Sequence, residues 1–98
     1  MRVISQDGAF DMPYEMSIVW CEDAGAVLLQ PIGETGEYQT FAKYSTEEKA
    51  KKAMEELRYA YMCHTLVKIG QTLPDGIDGK LTMGLSGVFH FPAEEELE

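Results

Sequence analysis

The basic residues are few and clustered, which makes them the first candidates for binding chemistry. Five of the eight fall within sixteen positions. Arginine can grip a phosphate through two parallel hydrogen bonds and can also stack on a ring, so Arg58 is the candidate ligand contact. Two other interpretations stay open for Arg58: a solvated head on a packed stem, or an ion pair with Glu55. The clustered bases are Lys43, Lys49, Lys51, Lys52 and Arg58. Of these, Lys49, Lys51 and Lys52 are expected on a solvated face.

Aromatic residues near these bases could stack on a nucleotide base, although most rings of this kind belong to cores. They are Tyr59, Tyr61, Phe89 and Phe91.

Other chemistries find little support in the residue spacing. Cys63 and His64 are adjacent, and neighbours on a helix point about 100° apart, so they would not converge on one metal ion. No serine or cysteine lies in a motif that would place a general base beside it, and the glycine-containing turns match no phosphate-binding loop motif. The sequence therefore predicts a protein that is not an enzyme and that holds no metal and no cofactor.

The charge balance limits the partners. Seventeen acidic and eight basic residues give a net charge of −9 and a pI near 4.6. Binding along a phosphate backbone needs a basic face, so duplex DNA or RNA is disfavoured. A small ligand held by two or three chosen cations fits this balance, and so does a basic surface on another protein.

One helix must position Arg58 and Tyr61. The sequence STEE at residues 45–48 fits a capping box with Ser45 as the cap, followed by apolar residues at helical spacing. The pattern predicts a helix from about residue 46 to about residue 64. Tyr59, Met62 and Cys63 fall away from its main stripe, so a second apolar side is expected, buried either within the chain or against another subunit.

Alternating and continuous apolar runs predict strands around this helix. They cover residues 2–5, 14–21, 26–29 and 38–44 before it, a short one at 65–69, and a last one at 81–91. The predicted fold class is α+β, a small antiparallel sheet of four to five strands with one long helix packed on a face, in the order β-β-β-β-α-β. We expect an oligomer, because a chain of 98 residues buries little of its own surface.

The length predicts a single domain over residues 1–92, followed by an acidic, solvated tail at 93–98. No apolar run is long enough for a membrane span or a signal peptide, and two cysteines are too few for a disulfide framework. We therefore expect a cytoplasmic protein with free thiols.

Several segments, in this order and spacing, resemble a group of small phage and prophage proteins of Firmicutes that includes the type 1 Thoeris anti-defence family. They are MRVISQDG at residues 1–8, PYE at 13–15, YSTEEKA at 44–50, MEELR at 54–58 and VFHFP at 88–92. Members of that family act as sponges that bind cyclic ADP-ribose isomers, and some also hold cyclic di- or trinucleotides, without cleaving them. Similar sequences carry a longer segment before the last strand than residues 65–87 provide here.

The resemblance implies a homodimer, or a hexamer built from dimers, with ligand pockets at subunit contacts. It implies phosphate contacts from Arg58, Arg2 and Lys80, a stacking platform from Tyr61 or Phe89, and action in the cytoplasm of the bacterial host. Two rival functions stay open. One is an acidic anti-defence protein that inhibits a host protein by binding it directly, and the other is an oligomeric phage protein without a ligand.

Overall fold

A computed structural model of the chain describes residues 1–33, 36–68 and 87–97. Within them the chain forms six strands, one long helix and two short 3-10 turns, the first at Tyr14–Met16 and the second, the C-terminal turn, at Glu94–Leu97. The strands and helix are β1 (Arg2–Ile4), β2 (Asp11–Pro13), β3 (Ser17–Cys21), β4 (Ala26–Pro31), β5 (Gln39–Lys43), α1 (Glu47–Lys68) and β6 (Val88–His90).

The strands form two sheets of three. In the first, of order β2-β1-β6, Val3 pairs with Met12 in an antiparallel ladder and with Phe89 in a parallel one. In the second, of order β3-β4-β5, all pairs are antiparallel, with Trp20 opposite Leu28. The α+β class and the long helix are confirmed, whereas the single antiparallel sheet is replaced by two sheets, one of them mixed.

Some predicted boundaries differ because short elements carry weak patterns. Strand β2 has three residues and ends at Pro13, too short for any alternation to be visible. Residues 14–16 form a turn ahead of β3 rather than its first residues. The strand predicted at 65–69 is wrong for residues 65–68, because α1 continues through them to Lys68 and extending a helix costs less than starting a new element. Residue 69 and residues 81–86 of the last predicted strand lie outside the described residues.

One core lies between the helix and the sheets. Helix α1 packs against β3 and β4. It contributes Ala50, Ala53, Leu57 and Ala60 to a cluster with Val3, Val27, Leu29, Phe41, Phe89 and Phe91. The small alanines let the helix approach the sheet closely, while the larger side chains fill the space between them.

The helix begins at Glu47, and both its start and its cap lie one residue later than predicted. Thr46 Oγ1 accepts a hydrogen bond from the backbone amide of Lys49 at 3.2 Å, so Thr46 and not Ser45 is the N-cap. The amide of Ser45 instead donates to Glu94 Oε1 at 2.5 Å. The C-terminal turn therefore takes part in fixing the start of the helix.

The acidic C-terminal turn is packed against the protein, which corrects the expectation of a solvated tail for residues 94–97. Leu97 is 3 % exposed and belongs to the core cluster. Lys49 lies 3.4 Å from a carboxylate oxygen of Glu94, and Lys52 donates to the carbonyl oxygen of Leu97. One buried leucine and two lysines of α1 thus hold this turn in place.

Within the described ranges no helix is both long and apolar enough to cross a bilayer.

Candidate functional site

Arg58 lies on the exposed side of α1, between the buried Leu57 and the half-buried Tyr59. No ion pair among residues 1–33, 36–68 and 87–97 includes Arg58, so the pairing with Glu55 that the sequence left open does not form there. An exposed guanidinium outside an ion pair keeps its donors for an anion from solution.

Tyr61 lies one helical turn after Arg58, in a row of three rings. Its ring contacts that of Tyr14 with centroids 4.5 Å apart, and that of His64 with centroids 6.4 Å apart. All three side chains are half-buried, so part of each remains accessible. We call Tyr14, Tyr61 and His64 the aromatic row. Such a row offers ring surface for stacking beside a cationic side chain, which is what a nucleotide requires.

Tyr14 and His64 were missed by the sequence reasoning. The 3-10 turn at Tyr14–Met16 places the Tyr14 ring against the helix. The amino group of Met1 binds both carboxylate oxygens of Glu15, at 2.9 and 2.7 Å. This ion pair is the main cause that lowers the pKa of Glu15, and the charge of His64 adds to it. No pattern in the sequence predicts the contact of Tyr14 with Tyr61, because the two residues lie far apart along the chain.

Arg2 is on the surface but already paired. Its Nε and Nη2 donate to the two carboxylate oxygens of Asp11 on the neighbouring strand. That hydrogen bonding raises the pKa of the Arg2 guanidinium, with a further contribution from the carboxylate charge. Val3, the next residue of β1, points into the core, so Arg2 projects from the opposite face of its sheet. A phosphate at Arg2 would have to compete with Asp11.

Phe89 is a core residue, which corrects its assignment as a stacking platform. It is 1 % exposed, and its ring meets that of Phe91 edge-on with centroids 5.2 Å apart. Its position in β6, beside Val3, turns the ring inward. Lys80 lies outside the described residues. Of the five predicted contacts, the structure therefore brings together Arg58 and Tyr61.

A shallow hollow of about 130 Å³ lies elsewhere, between the loop after β1 and the edge of β5. It is lined by Gln6, Asp7, Thr40, Phe41, Ala42 and Lys43. Pockets that enclose drug-sized ligands usually measure about 300–1,000 Å³, so this hollow is small for a cyclic nucleotide. No group of three or more potential metal ligands occurs in the described part of the chain.

No family model matches this chain, and neither a curated protein nor a solved structure matches it. The resemblance to the anti-defence family stays a prediction from the quoted motifs.

Proposed function

We propose that this protein is a phage anti-defence protein that binds a cyclic nucleotide immune signal, a cyclic ADP-ribose isomer or a cyclic oligonucleotide, and holds it intact. One observation carries the proposal beyond the motifs. The exposed guanidinium of Arg58, outside any ion pair of the described residues, lies one helical turn from the accessible aromatic row.

The chemistry of binding would divide between these two features. Arg58 would donate two parallel hydrogen bonds to a phosphate, and a base would stack on the rings of Tyr61 and Tyr14. Neither step breaks a bond in the ligand. A protein that acts by removing a signal needs affinity and slow release rather than a reaction, so its copy number sets how much signal it removes.

A second subunit would complete the site. Arg58 is exposed and the rings of the aromatic row are only half-buried, whereas a bound nucleotide is usually buried over most of its surface. We therefore propose that the ligand lies at a contact between copies, in a homodimer or a hexamer. The cytoplasm of the infected cell is the proposed location, because the signal is made there.

Ligand retention tests the proposal. The purified protein is incubated with cyclic ADP-ribose isomers and cyclic di- and trinucleotides, freed of unbound ligand by filtration, and heated to release what it holds. Mass spectrometry should recover one class of ligand unchanged. Arg58→Ala should retain at most a tenth as much, whereas Lys51→Ala, which removes another exposed cation of α1, should retain the wild-type amount.

A second pair of variants tests the ring. Tyr61→Phe keeps the aromatic surface and should retain ligand, and Tyr61→Leu should lose it, with folding of both checked by circular dichroism. Recovery of no ligand from folded wild-type protein, or equal recovery from Arg58→Ala, would refute the proposal.

A further inference from the structure

The second sheet has an apolar side that the core does not cover. Val19, Val27 and Leu29 face the core, and the residues that alternate with them face outward. Met16, Ile18, Ile32 and Tyr38 are 58 %, 51 %, 56 % and 54 % exposed, unusually high for large apolar side chains. We call the outward-facing apolar residues of the strands, together with three exposed apolar residues beside the strand ends, the outer sheet face. Its members are Ile18, Trp20 and Leu28 in the strands and Met16, Ile32 and Tyr38 beside them.

Trp20, Leu28 and Tyr38 adjoin on this face, on which the polar Gln30 and Thr40 also lie. Trp20 lies opposite Leu28 in the ladder, and its ring meets that of Tyr38 edge-on with centroids 5.7 Å apart. The two rings come from opposite sides of β4, which explains why Leu28 is only 2 % exposed although it lies outside the core cluster. The outer sheet face is therefore an ordered layer built on Leu28.

Charge is nearly absent from this surface, in a chain of net charge −9. Lys43, the last residue of β5, is the single charged residue of the three strands. Glu22 and Asp23 lie in the turn beyond the end of β3, and Glu37 precedes β5. A basic protein would find no carboxylate on the strands to pair with. The partner surface that complements the outer sheet face is therefore uncharged and apolar.

The size and composition of the outer sheet face match a subunit contact. Tyr38 is 54 % exposed, and because an aromatic side chain has about 150–250 Å² of surface, it presents about 100 Å². Met16, Ile18 and Ile32 are each more than half exposed and add to this surface. A stable dimer buries about 800 Å² per partner, and the outer sheet face would be its apolar centre. Tyrosine, tryptophan and methionine are enriched in interface cores, from which charged residues are depleted.

We propose that the outer sheet face binds the same face of a second copy, so that two β3-β4-β5 sheets stack across a two-fold axis. A second copy supplies an uncharged apolar face by identity, and a two-fold contact pairs each patch with itself. This contact lies on the side of β3-β4-β5 that faces away from α1, so it is separate from the ligand contact proposed at Arg58 and goes beyond the proposed function. It rests on that function only for the expectation of self-association.

Trp20 is the single tryptophan and lies on this face, so it reports the contact directly. The mass in solution and the tryptophan emission are followed through a dilution series without nucleotide. The mass should fall from dimer to monomer, and the emission maximum should move to longer wavelength over the same concentrations. Ile18→Glu places a carboxylate on each face and should raise the dimer dissociation constant at least tenfold. Met62→Glu, at a 40 % exposed apolar position of α1, should leave it unchanged.

If Ile18→Glu fails to fold, Ile18→Thr provides the test. It keeps a β-branched side chain and should also weaken the dimer. A wild-type monomer at every concentration would overturn the proposal, whatever else covers the face. So would a dimer whose dissociation leaves Trp20 emission unchanged, or a dimer broken by Met62→Glu and not by the Ile18 variants. These results are independent of nucleotide retention, so a failed ligand assay with an intact dimer would refute the proposed function alone.

Discussion

The hydroxyl of Tyr44 donates a hydrogen bond of 2.8 Å to the carbonyl oxygen of Pro92. Tyr44 lies between β5 and α1, and Pro92 lies between β6 and the C-terminal turn. This buried contact therefore joins the two sheets at the point where the helix begins. Burial, together with the negative charges of Glu56, Glu96 and Glu94, raises the pKa of the Tyr44 hydroxyl, so it remains a proton donor at neutral pH.

Removing this hydroxyl should destabilise the fold modestly. Tyr44→Phe should lower the free energy of unfolding by about 1 kcal/mol, because a buried hydrogen bond is lost. The cost is limited because Gln6 Nε2 also donates to the carbonyl oxygen of Pro92, at 3.2 Å. Urea denaturation measures the difference, with Tyr38→Phe as the control at an exposed tyrosine. Equal stability of Tyr44→Phe and the wild type would contradict the role given to this contact.

The helix cap gives a second stability prediction. Thr46→Ala removes the acceptor for the Lys49 amide and should cost about 1 kcal/mol in urea denaturation. Ser45→Ala should cost less than half as much, because it keeps the amide that makes the 2.5 Å bond to Glu94 and removes only the smaller contribution of the Ser45 hydroxyl. A larger loss of stability in Ser45→Ala than in Thr46→Ala would mean that Ser45 caps the helix, as the sequence predicts.

Acid should destabilise the protein through carboxylates that are bonded in the folded state. Hydrogen bonding from the Ser45 amide is the main cause that lowers the pKa of Glu94 below its ordinary value of 4.5. A hydrogen bond from the Ser5 hydroxyl likewise lowers the pKa of Asp7. A hydrogen bond from the Met1 amino group lowers the pKa of Glu15. A carboxyl group whose pKa is lower in the folded state contributes stability that is fully present above its pKa in the unfolded chain. This contribution disappears as the pH falls through the pKa of the folded state.

The urea midpoint should therefore be flat between pH 7 and about pH 5 and fall below about pH 4.5. Glu94→Gln should lower the midpoint at pH 7 and make it less sensitive to acid, while Glu95→Gln, an exposed neighbour in the same turn, should follow the wild type. A midpoint that rises on acidification would contradict this sign.

The two cysteines should differ in reactivity. Cys63 is fully buried in the structure, and burial raises the pKa of its thiol, so the reactive thiolate is scarce. Cys21 is half-buried. Iodoacetamide should label Cys21 first in the native protein and both residues in urea, as read by peptide mass spectrometry. Native labelling of Cys63 at the rate of Cys21 would contradict the burial of this residue of α1.

The elements that were predictable are those whose pattern is local. The helix follows from apolar residues such as Ala50 and Leu57 at helical spacing. Its cap was missed by one residue because Ser45 and Thr46 are both common caps and Ser is the preferred one of the two. The parallel pairing of β1 with β6 joins Val3 to Phe89, and no local pattern encodes a pairing over that separation. For the same reason β6 was assigned to a single antiparallel sheet.

The candidate site was predictable only in part. Arg58 and Tyr61 share one helix, so their proximity follows from sequence spacing. The Tyr14 contact with Tyr61 depends on the turn after β2, which carries no signal of its own. Phe89 was an aromatic residue in an apolar strand, a pattern that predicts burial as well as it predicts stacking, and burial is what the structure has.

Calorimetric titration with cyclic ADP-ribose isomers and cyclic di- and trinucleotides tests whether this protein binds a nucleotide signal through Arg58. We expect saturable binding of at least one of these ligands to the wild type. The dissociation constant should be at least tenfold higher for Arg58→Ala, since a charge-assisted hydrogen bond contributes about 1.5–3 kcal/mol. Lys51→Ala should bind as the wild type does. A folded wild-type protein that gives no heat with any of these ligands, or an Arg58→Ala variant that binds equally well, would contradict the account.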